Sequence, residues 1–418
     1  MDAYIYQDKK KLRCGYTTGA CAALAAKSAV RCLVSDTRRE EETILVPGGL
    51  LVRAKPEDWR ISRDKEGRIR SAECAVKKDA GDDHDATDGI LIYVRAEYAG
   101  DASKAEEPDS EKLVFIEGGE GIGRVTKAGL DQPPGEAAIN SVPRRMIQEE
   151  AFKILEEYGV RRPLRLTVSA PEGVRIAEKT FNPVLGIEGG ISILGTSGIV
   201  KPMSSEALVE TIRAQLKVLY FEGRRTAAAV PGNLGAGYLT DFVFCGQENT
   251  LRKERQIKRF SDSLVICSNF IGRTVDMAGE LGFSGLLLAG HIGKLGKLGN
   301  GIMDTHSREG DARLDTLLSC ALEAGADRPL LLKTRRPTPT EEAIEQIEAA
   351  GFLPGTMERL MERIGEYLGR RAPLGLETEA MVFDASGRLL GKTKGAGRLL
   401  SEIRKECEGN NEGQNFSG

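Results

Sequence analysis

The amino-acid sequence predicts a multidomain protein of the α/β and α+β classes. An N-terminal α+β domain is followed by a domain with a mostly parallel sheet covered by helices. The 418-residue chain is long enough for more than one hydrophobic core. Short β-rich runs crowd its first part, whereas apolar strands alternate with helical periodicities later. Such alternation favours a parallel sheet buried on both faces.

Residues 1–160 have the periodicities of the α+β domain. Helices are predicted at Ala20–Val34, after a loop of glycine and threonine, and at Arg144–Tyr158. A hairpin turn is predicted at Asp64–Gly67, and the acidic stretch Asp101–Glu111 has the composition of a solvated loop. The predicted strands are Thr43–Val46, Leu50–Ala54, Ala72–Lys77, Ile90–Tyr98 and Lys112–Glu117.

Residues 161–335 are predicted to form the α/β domain, with helices at Ser205–Phe221 and up to Leu281. Each strand precedes a loop of small or polar residues, and ligands of parallel sheets bind beyond the carboxyl ends of the strands. The predicted strands are Leu164–Ser169, Ile191–Leu194, Thr226–Val230, Leu264–Cys267 and Leu286–Ala289.

The C-terminal part, 336–407, is predicted to add helices and a hairpin around Asp384–Gly387 that pack on the rest. The polar tail, 408–418, is predicted to be disordered.

Composition excludes several classes of protein. The net charge is −3 with both signs mixed along the chain, which argues against binding of nucleic acid or of an anionic membrane. No segment reaches the ~18 apolar residues of a membrane span, and the N-terminus does not have the pattern of a secretory signal. The eight cysteines are scattered without a C-x-x-C pair, which indicates reduced thiols and a cytoplasmic location.

Two segments of the α+β domain concentrate polar groups. Gly15–Gly19 directly precedes a helix, so it is either a capped helix start or an anion site made by free amides. Lys77–Gly89 holds five aspartates within ten residues. Its spacing does not fit a calcium loop, and a polar loop that orders itself or a substrate is favoured over a metal site.

Two further segments belong to the α/β domain. Asn182–Ser204 flanks a predicted strand with glycine loops, which suits close approach of a nucleoside, although neither dinucleotide nor P-loop fingerprints are present. Gly290–Arg308 gathers two histidines, two lysines, Asp304 and glycines at every third residue. That glycine stripe fits either a flat ligand or helix packing. Neither histidine has the spacing of a zinc site, so no protein-bound metal is predicted.

Several motifs in one order resemble the cobalt-precorrin-5B (C1)-methyltransferase family of anaerobic cobalamin biosynthesis. The resemblance spans about residues 10–315, with Cys14 where the family pattern has threonine, and Gly296 and Gly299 where it has alanines. The motifs are Leu12–Ala23, Lys78–Gly89, Gly118–Gly123, Pro133–Glu136, Asn140–Ile147, Leu185–Ser204 and Gly290–Arg313.

The resemblance implies methyl transfer from S-adenosylmethionine to ring carbon C1 of cobalt-precorrin-5B, giving cobalt-precorrin-6A. It also implies a fold unlike that of the other methyltransferases of the pathway. Cobalt then arrives as part of the substrate, and the partners are this small molecule and neighbouring enzymes of the pathway. Two alternatives stay open: a non-catalytic corrinoid carrier, and a nicotinamide-dependent reductase that would lack the dinucleotide fingerprint.

The site hypothesis follows from the chemistry of such a substrate, because a macrocycle with many carboxylates requires cations. For the proton acceptor, Asp304 and His306 rank first and His291 follows. The donor is placed at Gly189, Gly190, Gly195, Thr196, Ser197 and Gly198, helped by Thr17 and Thr18. The candidate cations are Arg144, Arg145, Lys201, Lys294, Lys297, Arg308 and Arg313.

Overall fold

The computed structural model describes residues 3–7, 10–99, 113–245, 251–335 and 339–409. It divides the chain into two compact units, Met1–Ser205 (unit 1) and Glu206–Gly418 (unit 2). The predicted solvated loop at Asp101–Glu111 and all but the first two residues of the predicted tail, 408–418, lie outside the described ranges.

Unit 1 is built from short strands and four helices among its described residues. The helices are α1 (Thr18–Ser35), α2 (Ser141–Glu157), α3 (Gly173–Ala177) and α4 (Asn182–Leu185). The strands are β1 (Tyr4–Gln7), β2 (Lys10–Arg13), β3 (Gly15–Tyr16), β4 (Glu42–Leu45), β5 (Leu51–Ala54), β6 (Pro56–Arg63), β7 (Ile69–Lys77), β8 (Leu91–Tyr98), β9 (Val114–Gly118), β10 (Arg124–Val125), β11 (Leu164–Ser169), β12 (Ile187–Glu188) and β13 (Ile199–Val200).

The main sheet of unit 1 has the strand order β6-β7-β8-β11-β9. Its neighbours are antiparallel except for β11 and β9, which run parallel. The turn predicted at Asp64–Gly67 joins β6 to β7 and is confirmed.

Helix α1 lies at the centre of this unit. Thr17 caps its first turn, and most of its buried positions hold small residues, six of them alanines. A helix with so little side-chain volume can lie close against its neighbours, here β7, β8 and α2. The helix predicted at Ala20–Val34 is confirmed by α1, which spans Thr18–Ser35. Its buried side chains belong to the core of unit 1.

Unit 2 contains an open sheet of order β15-β14-β16-β17-β18. The first four strands are mutually parallel, and β18 pairs antiparallel with β17 through the hairpin predicted around Asp384–Gly387. The strands are β14 (Thr226–Val230), β15 (Val265–Ile266), β16 (Gly285–His291), β17 (Glu377–Phe383) and β18 (Leu389–Lys392).

Helices cover both faces of this sheet, as the sequence predicted. Ala227 and Ala229 of β14 face one core, and Ala228 and Val230 face the other, because strand side chains alternate. The helices are α5 (Ser205–Phe221), α6 (Asn233–Phe244), α7 (Leu251–Asp262), α8 (Ile271–Leu281), α9 (Ile292–Leu295), α10 (Arg313–Glu323), α11 (Arg328–Thr334), α12 (Thr340–Ala349), α13 (Leu353–Arg371) and α14 (Ala396–Gly409), with a 3-10 helix at Gly296–Asn300.

The division into units differs from the boundaries expected at 160 and 335. β11 was expected to open the parallel sheet, but it pairs with β8 and β9 of unit 1. Residues 191–194 form isolated bridges to Ile122 and Ile139 in place of a strand. β17 pairs with β16 along seven residues, so the part 336–407 contributes a strand to the sheet of unit 2 and does not merely pack on it. Among the described residues, no helix is long and apolar enough to cross a membrane.

Candidate active site

The carboxyl edge of the unit 2 sheet brings most of the predicted catalytic residues into one region. β14 lies between β15 and β16, and the chain crosses over β14 as it passes from β15 to β16. Connections that leave neighbouring strands in opposite directions open a crevice at the strand ends, where doubly wound proteins bind their ligands. In this unit the crevice lies between the ends of β14 and β16.

Glycines let the two loops of this crevice approach closely. A Cβ on Gly290 would lie 2.9 Å from Cδ of Pro231. A Cβ on Gly235, in the first turn of α6, would lie 3.1 Å from the carbonyl oxygen of Ala289. The loop after β14 and the end of β16 therefore pack closely against each other at this point.

Lys294 ties the two sides of the crevice together. Its Nζ donates to the carbonyl oxygen of Pro231 at 3.2 Å. Burial lowers the pKa of Lys294 from its ordinary value. Burial also raises the pKa of the neighbouring Cys267 thiol to about 12, which keeps that group protonated. The crevice thus offers a half-buried cation and no thiolate at Cys267.

His291 ends β16 and caps the short helix α9. Its Nδ1 accepts a hydrogen bond from the amide of Gly293 at 3.1 Å, so the neutral ring carries its proton on Nε2. Nε2 lies 3.3 Å from Oε1 of Glu341 but makes no hydrogen bond with the described residues. Because its acceptor nitrogen is engaged, His291 is poorly suited to take a proton from a substrate.

Lys297 holds the loop that carries the other catalytic candidates. Its side chain is buried, with a relative exposure of 3%, and Nζ donates to the carbonyl oxygens of Thr305 at 3.0 Å and Gly310 at 2.9 Å. These bonds direct the ammonium into the protein and do not favour the substrate contact predicted for Lys297.

The loop of Asp304 and His306 lies beside the end of β15. Asp304 forms an isolated bridge with Phe270, just beyond that strand. Oδ1 of Asp304 accepts from the amide of His306 at 3.0 Å, and Nδ1 of His306 accepts from the amide of Arg308 at 3.2 Å. Oδ2 of Asp304 accepts no hydrogen bond from the described residues. Oδ2 of Asp304 is therefore available to accept a proton. In each histidine, by contrast, the acceptor nitrogen Nδ1 is engaged by a backbone amide.

Two arginines follow on the same side of the sheet. Arg308 is exposed. Arg313 begins α10 and forms a forked pair with Asp311, with two nitrogen–oxygen distances of 2.6 Å. The glycine stripe of this segment serves helix packing at Gly299, where a Cβ would lie 2.7 Å from side-chain carbons of Leu360 and Thr316.

In unit 1, the two segments assigned to the methyl donor do lie together. The amide of Thr17 donates to the carbonyl of Gly198 at 3.1 Å, and that of Gly19 donates to Leu194 at 3.0 Å. The hydroxyl of Thr18 accepts from the amide of Leu194 at 3.0 Å. The free amides expected at this helix start are therefore largely satisfied within the protein.

The glycines of the donor segment are also occupied by packing. A Cβ on Gly195 would lie 2.4 Å from the Thr17 side chain, and one on Gly198 would lie 2.5 Å from Val46. A Cβ on Gly190 would meet the carbonyl oxygen of Gly121 at 2.2 Å. The hydroxyl of Ser197 accepts from the amide of Ile199 at 3.2 Å. Of the residues predicted to bind the donor in this segment, Gly189 and Thr196 are exposed.

The three cations predicted in unit 1 differ in their surroundings. Arg144 is half-buried and donates to the carbonyls of Ile139 at 2.8 Å and Ile116 at 3.3 Å, and burial lowers its pKa. Arg145 is exposed and lies 3.8 Å from Glu149, one helical turn away. Lys201 is exposed. Arg144 thus donates to backbone carbonyls, whereas Arg145 and Lys201 are accessible to solvent.

The aspartate loop of unit 1 is ordered by its own carboxylates. Asp79 forms a forked pair with Arg13, at 2.6 and 2.7 Å, and Asp85 pairs with the buried Lys78 at 2.6 Å. Asp82, Asp83 and Asp88 each accept from a backbone amide. These contacts support the polar loop that the sequence favoured.

Two glycines press this loop against β3. A Cβ on Gly15 would lie 2.2 Å from the carbonyl carbon of Ala80. A Cβ on Gly81, whose φ is +70°, would lie 2.2 Å from the carbonyl oxygen of Arg13.

The sequence hypothesis omitted the loop Pro231–Gly235 from the site, although it recognised that loop as a strand end. Its signal, a buried strand followed by proline, glycine and asparagine at a helix start, is present in the sequence. What the sequence lacked was the strand order, which identifies this loop as one wall of the crevice. Glu341, close to His291, could not be found from local pattern because it is distant in sequence.

Comparison with known proteins identifies the family. The family model CbiD matches residues 5–202, and the model for the CbiD C-terminal domain matches residues 304–394. A cobalt-precorrin-5B C(1)-methyltransferase of Ruminiclostridium cellulolyticum is 39% identical over 416 residues, which cover 98% of this chain and 100% of that protein. The chain belongs to the CbiD family. The resemblance found in the sequence is thereby confirmed.

Two further relatives resemble this chain to different extents. A cobalt-precorrin-5B C(1)-methyltransferase of Alkaliphilus metalliredigens is 36% identical and covers 97% of this chain and 99% of its own length. The crystal structure of the cobalamin biosynthesis protein cbiD from Archaeoglobus fulgidus is 26% identical, covering 74% of this chain and 86% of that chain, with a TM-score of 0.36. The two CbiD family models fall one in each compact unit.

Proposed function

We propose that this chain transfers a methyl group from S-adenosylmethionine to ring carbon C1 of cobalt-precorrin-5B, giving cobalt-precorrin-6A, in anaerobic cobalamin biosynthesis. The observation that carries this proposal is 39% identity to a cobalt-precorrin-5B C(1)-methyltransferase over 98% of this chain and 100% of the relative. In this role the chain works in the cytoplasm, and its eight unpaired cysteines agree with a reducing compartment.

The reaction requires alignment more than covalent help from the enzyme. The nucleophilic ring carbon displaces the methyl group from the sulfonium, the electrons of the broken carbon–sulfur bond stay on sulfur, and a proton leaves the macrocycle. Holding the reactants in line can supply much of the acceleration. The protein's tasks are therefore to bind two ligands next to each other and to accept a proton.

We place the donor in the crevice between β14 and β16. Pro231–Gly235 follows a buried parallel strand at the switch in strand order, and Asn233 and Leu234 of this loop are exposed. The placement predicted from the sequence at Gly189–Gly198 has less support, because the flanking strands β12 and β13 belong to two-stranded antiparallel sheets and not to a parallel sheet.

A matched pair of variants separates these two placements. Asn233 and Thr196 are both exposed, so Asn233→Glu and Thr196→Glu add the same charge to each candidate loop without disturbing a core. We expect Asn233→Glu to weaken S-adenosylhomocysteine binding by about tenfold or more, and Thr196→Glu to leave it unchanged. Calorimetric titration measures both, and the reverse outcome would return the donor to the Gly189–Gly198 segment.

The macrocycle lies, on this proposal, along the loops beyond β16. Lys294 and Arg308 present cations to its carboxylates, whereas the fork of Arg313 stays paired with Asp311. Lys297 supports this surface from beneath through Thr305 and Gly310.

For the proton acceptor we choose Asp304, because its Oδ2 is not engaged by the described residues. Single-turnover methylation tests this choice. We expect Asp304→Asn to slow the step by about 100-fold or more, the usual contribution of a general base. His306→Ala should slow it by less than about tenfold, since that ring serves the backbone. Equal rates in Asp304→Asn and the parent protein would exclude Asp304 from the chemistry.

The reaction itself is tested with methyl-labelled S-adenosylmethionine and cobalt-precorrin-5B. Label at C1 of the macrocycle, dependent on the protein, is the expected result. Saturable binding of the macrocycle without transfer of label would instead indicate a corrinoid carrier.

A further inference from the structure

Unit 2 contains a cavity of about 840 Å³ between α6, α7 and α14. This cavity is distant from the crevice. Glu406 of α14 accepts from the amide and the hydroxyl of Thr226 at 3.1 and 2.9 Å, and Thr226 is the first residue of β14. The end of α14 that lines the cavity is therefore fixed at the amino edge of the sheet, opposite to the carboxyl edge that forms the candidate active site.

Two nearly buried aromatic rings lie beneath the cavity. Phe244 at the end of α6 and Phe260 near the end of α7 meet edge to face, with ring centroids 5.9 Å apart. The guanidinium carbon of Arg404 lies 5.7 Å from the centre of the Phe244 ring. Both phenylalanines belong to a buried core, so the two rings are held in place by the packing of three helices.

The rim of the cavity is positively charged. Arg255, Lys258 and Arg259 of α7 are exposed, and Arg404 of α14 is half-buried. Within the described parts of the chain, none of these four cations lies within 4.0 Å of a carboxylate oxygen. Asp262 and Glu408 also line the cavity, which leaves an excess of positive charge.

Other arginines of this unit are paired with carboxylates. Arg388 pairs with Glu348 and Asp384, and Arg398 pairs with Glu377 and Glu402. Cations that stay unpaired around a concave surface leave their donors available to an external anion.

We propose that this cavity is a second ligand site, which binds a small molecule carrying several carboxylate or phosphate groups on an apolar body. The volume lies within the range of about 300–1,000 Å³ that is usual for small-molecule sites. The arginine forks hold the anionic groups at the rim, and the small exposed parts of Phe244 and Phe260, which are 6% and 1% exposed, contact the apolar body. This site is independent of the methyl transfer proposed above.

The test uses the full-length protein and two commercially available probes, the polycarboxylate uroporphyrin and the phosphate ester flavin mononucleotide. The variant Arg255→Gln/Arg259→Gln removes two rim cations. Lys253→Gln is the control, because it removes a cation from the same helix outside the cavity lining. Equilibrium dialysis gives the number of sites per chain and the affinity of each.

We expect at least one probe to bind the parent protein, with one class of sites weakened by about tenfold or more in the double variant and unchanged in Lys253→Gln. The preferred probe distinguishes a carboxylate ligand from a phosphate ligand. Failure of both probes to bind would overturn the proposal, as would equal binding by the double variant and the parent protein. An equal loss in Lys253→Gln would overturn it too, by showing non-specific attraction.

Methyl transfer is measured on the same variants, and it should be unchanged in both. If label never reaches the macrocycle but the rim-dependent site persists, the proposed function fails and this inference stands. If methylation proceeds normally and the probes bind equally to the parent protein and the double variant, the proposed function stands and this inference fails.

Discussion

Lys297 is a buried cation whose hydrogen bonds are all internal. Replacing it with methionine keeps most of the side-chain volume but removes the donor to the carbonyls of Thr305 and Gly310. A buried carbonyl without a partner costs about 1–3 kcal/mol, so we expect Lys297→Met to lower the free energy of unfolding by at least that amount. Urea denaturation of parent and variant measures the difference.

Lys201→Met provides the control for this measurement, because Lys201 is exposed and the same change there should stay within about 0.5 kcal/mol. Equal stability of Lys297→Met and the parent protein would show that the loop of Asp304 does not depend on the buried ammonium.

Lys294 gives a prediction about pH. Burial lowers its pKa, so its positive charge is complete below that pKa and is lost as the pH rises through it, earlier than for an exposed lysine. An arginine at this position stays charged throughout. We expect KM for the anionic macrocycle to rise at alkaline pH in the parent protein, and to rise less in Lys294→Arg. Parallel KM profiles would show that this charge does not contact the substrate.

At the level of single residues, the sequence predicted which residues lie near the candidate site better than it predicted what each of them does. It selected the Gly290–Arg308 segment, which lies at the carboxyl edge of the sheet, but it could not tell Lys294 from Lys297. Their difference depends on burial, and burial depends on a loop that returns to cover Lys297 after the 3-10 helix. Likewise, the nitrogen that each histidine commits to the backbone is a matter of local folding.

Among the helices, α1 is the one most sensitive to volume. Ala25 is fully buried, and its carbonyl accepts a hydrogen bond from the Cys74 thiol of β7 at 3.4 Å. Ala25→Leu would force three carbons into a packed interface, which typically costs about 1–3 kcal/mol. Thermal or urea unfolding should show this loss, whereas Ala207→Leu on the exposed face of α5 should change stability by less than about 0.5 kcal/mol. A neutral Ala25→Leu would mean that α1 lies further from the sheet than described.

The sequence predicted the bounds of several strands and helices correctly, but it did not predict which strands pair with each other. Thr226–Val230 and Ser205–Phe221 were predicted with the boundaries observed, since an apolar run and a helical period are local signals. Leu164–Ser169 was also predicted with its observed bounds but was assigned to the wrong sheet. Alternation reports which side chains are buried, whereas the choice of partner strand depends on residues far away in sequence. β6 was missed because its exposed positions interrupt the apolar pattern.

For the whole molecule, the separate cores predict separable folding. One large cluster of buried residues lies within Met1–Ser205, and two lie on opposite faces of the sheet within Glu206–Gly418. We expect fragments 1–205 and 206–418, expressed alone, each to unfold in a cooperative thermal transition, because each carries a complete core. Calorimetry tests this, with fragments cut at 160 as the control, since that cut separates β11 from its sheet. A fragment 1–205 that melts no more cooperatively than fragment 1–160 would contradict the division.

The contact between Gly15 and Gly81 restricts how these loops can vary. A Cβ added at Gly15 would clash with main-chain atoms of Ala80, and a Cβ added at Gly81 would clash with the main-chain oxygen of Arg13. Every amino acid brings those same atoms, so no suppressor mutation at a neighbouring codon can create the missing space. A library that randomises both codons should therefore return glycine at each, independently of the residue chosen at the other.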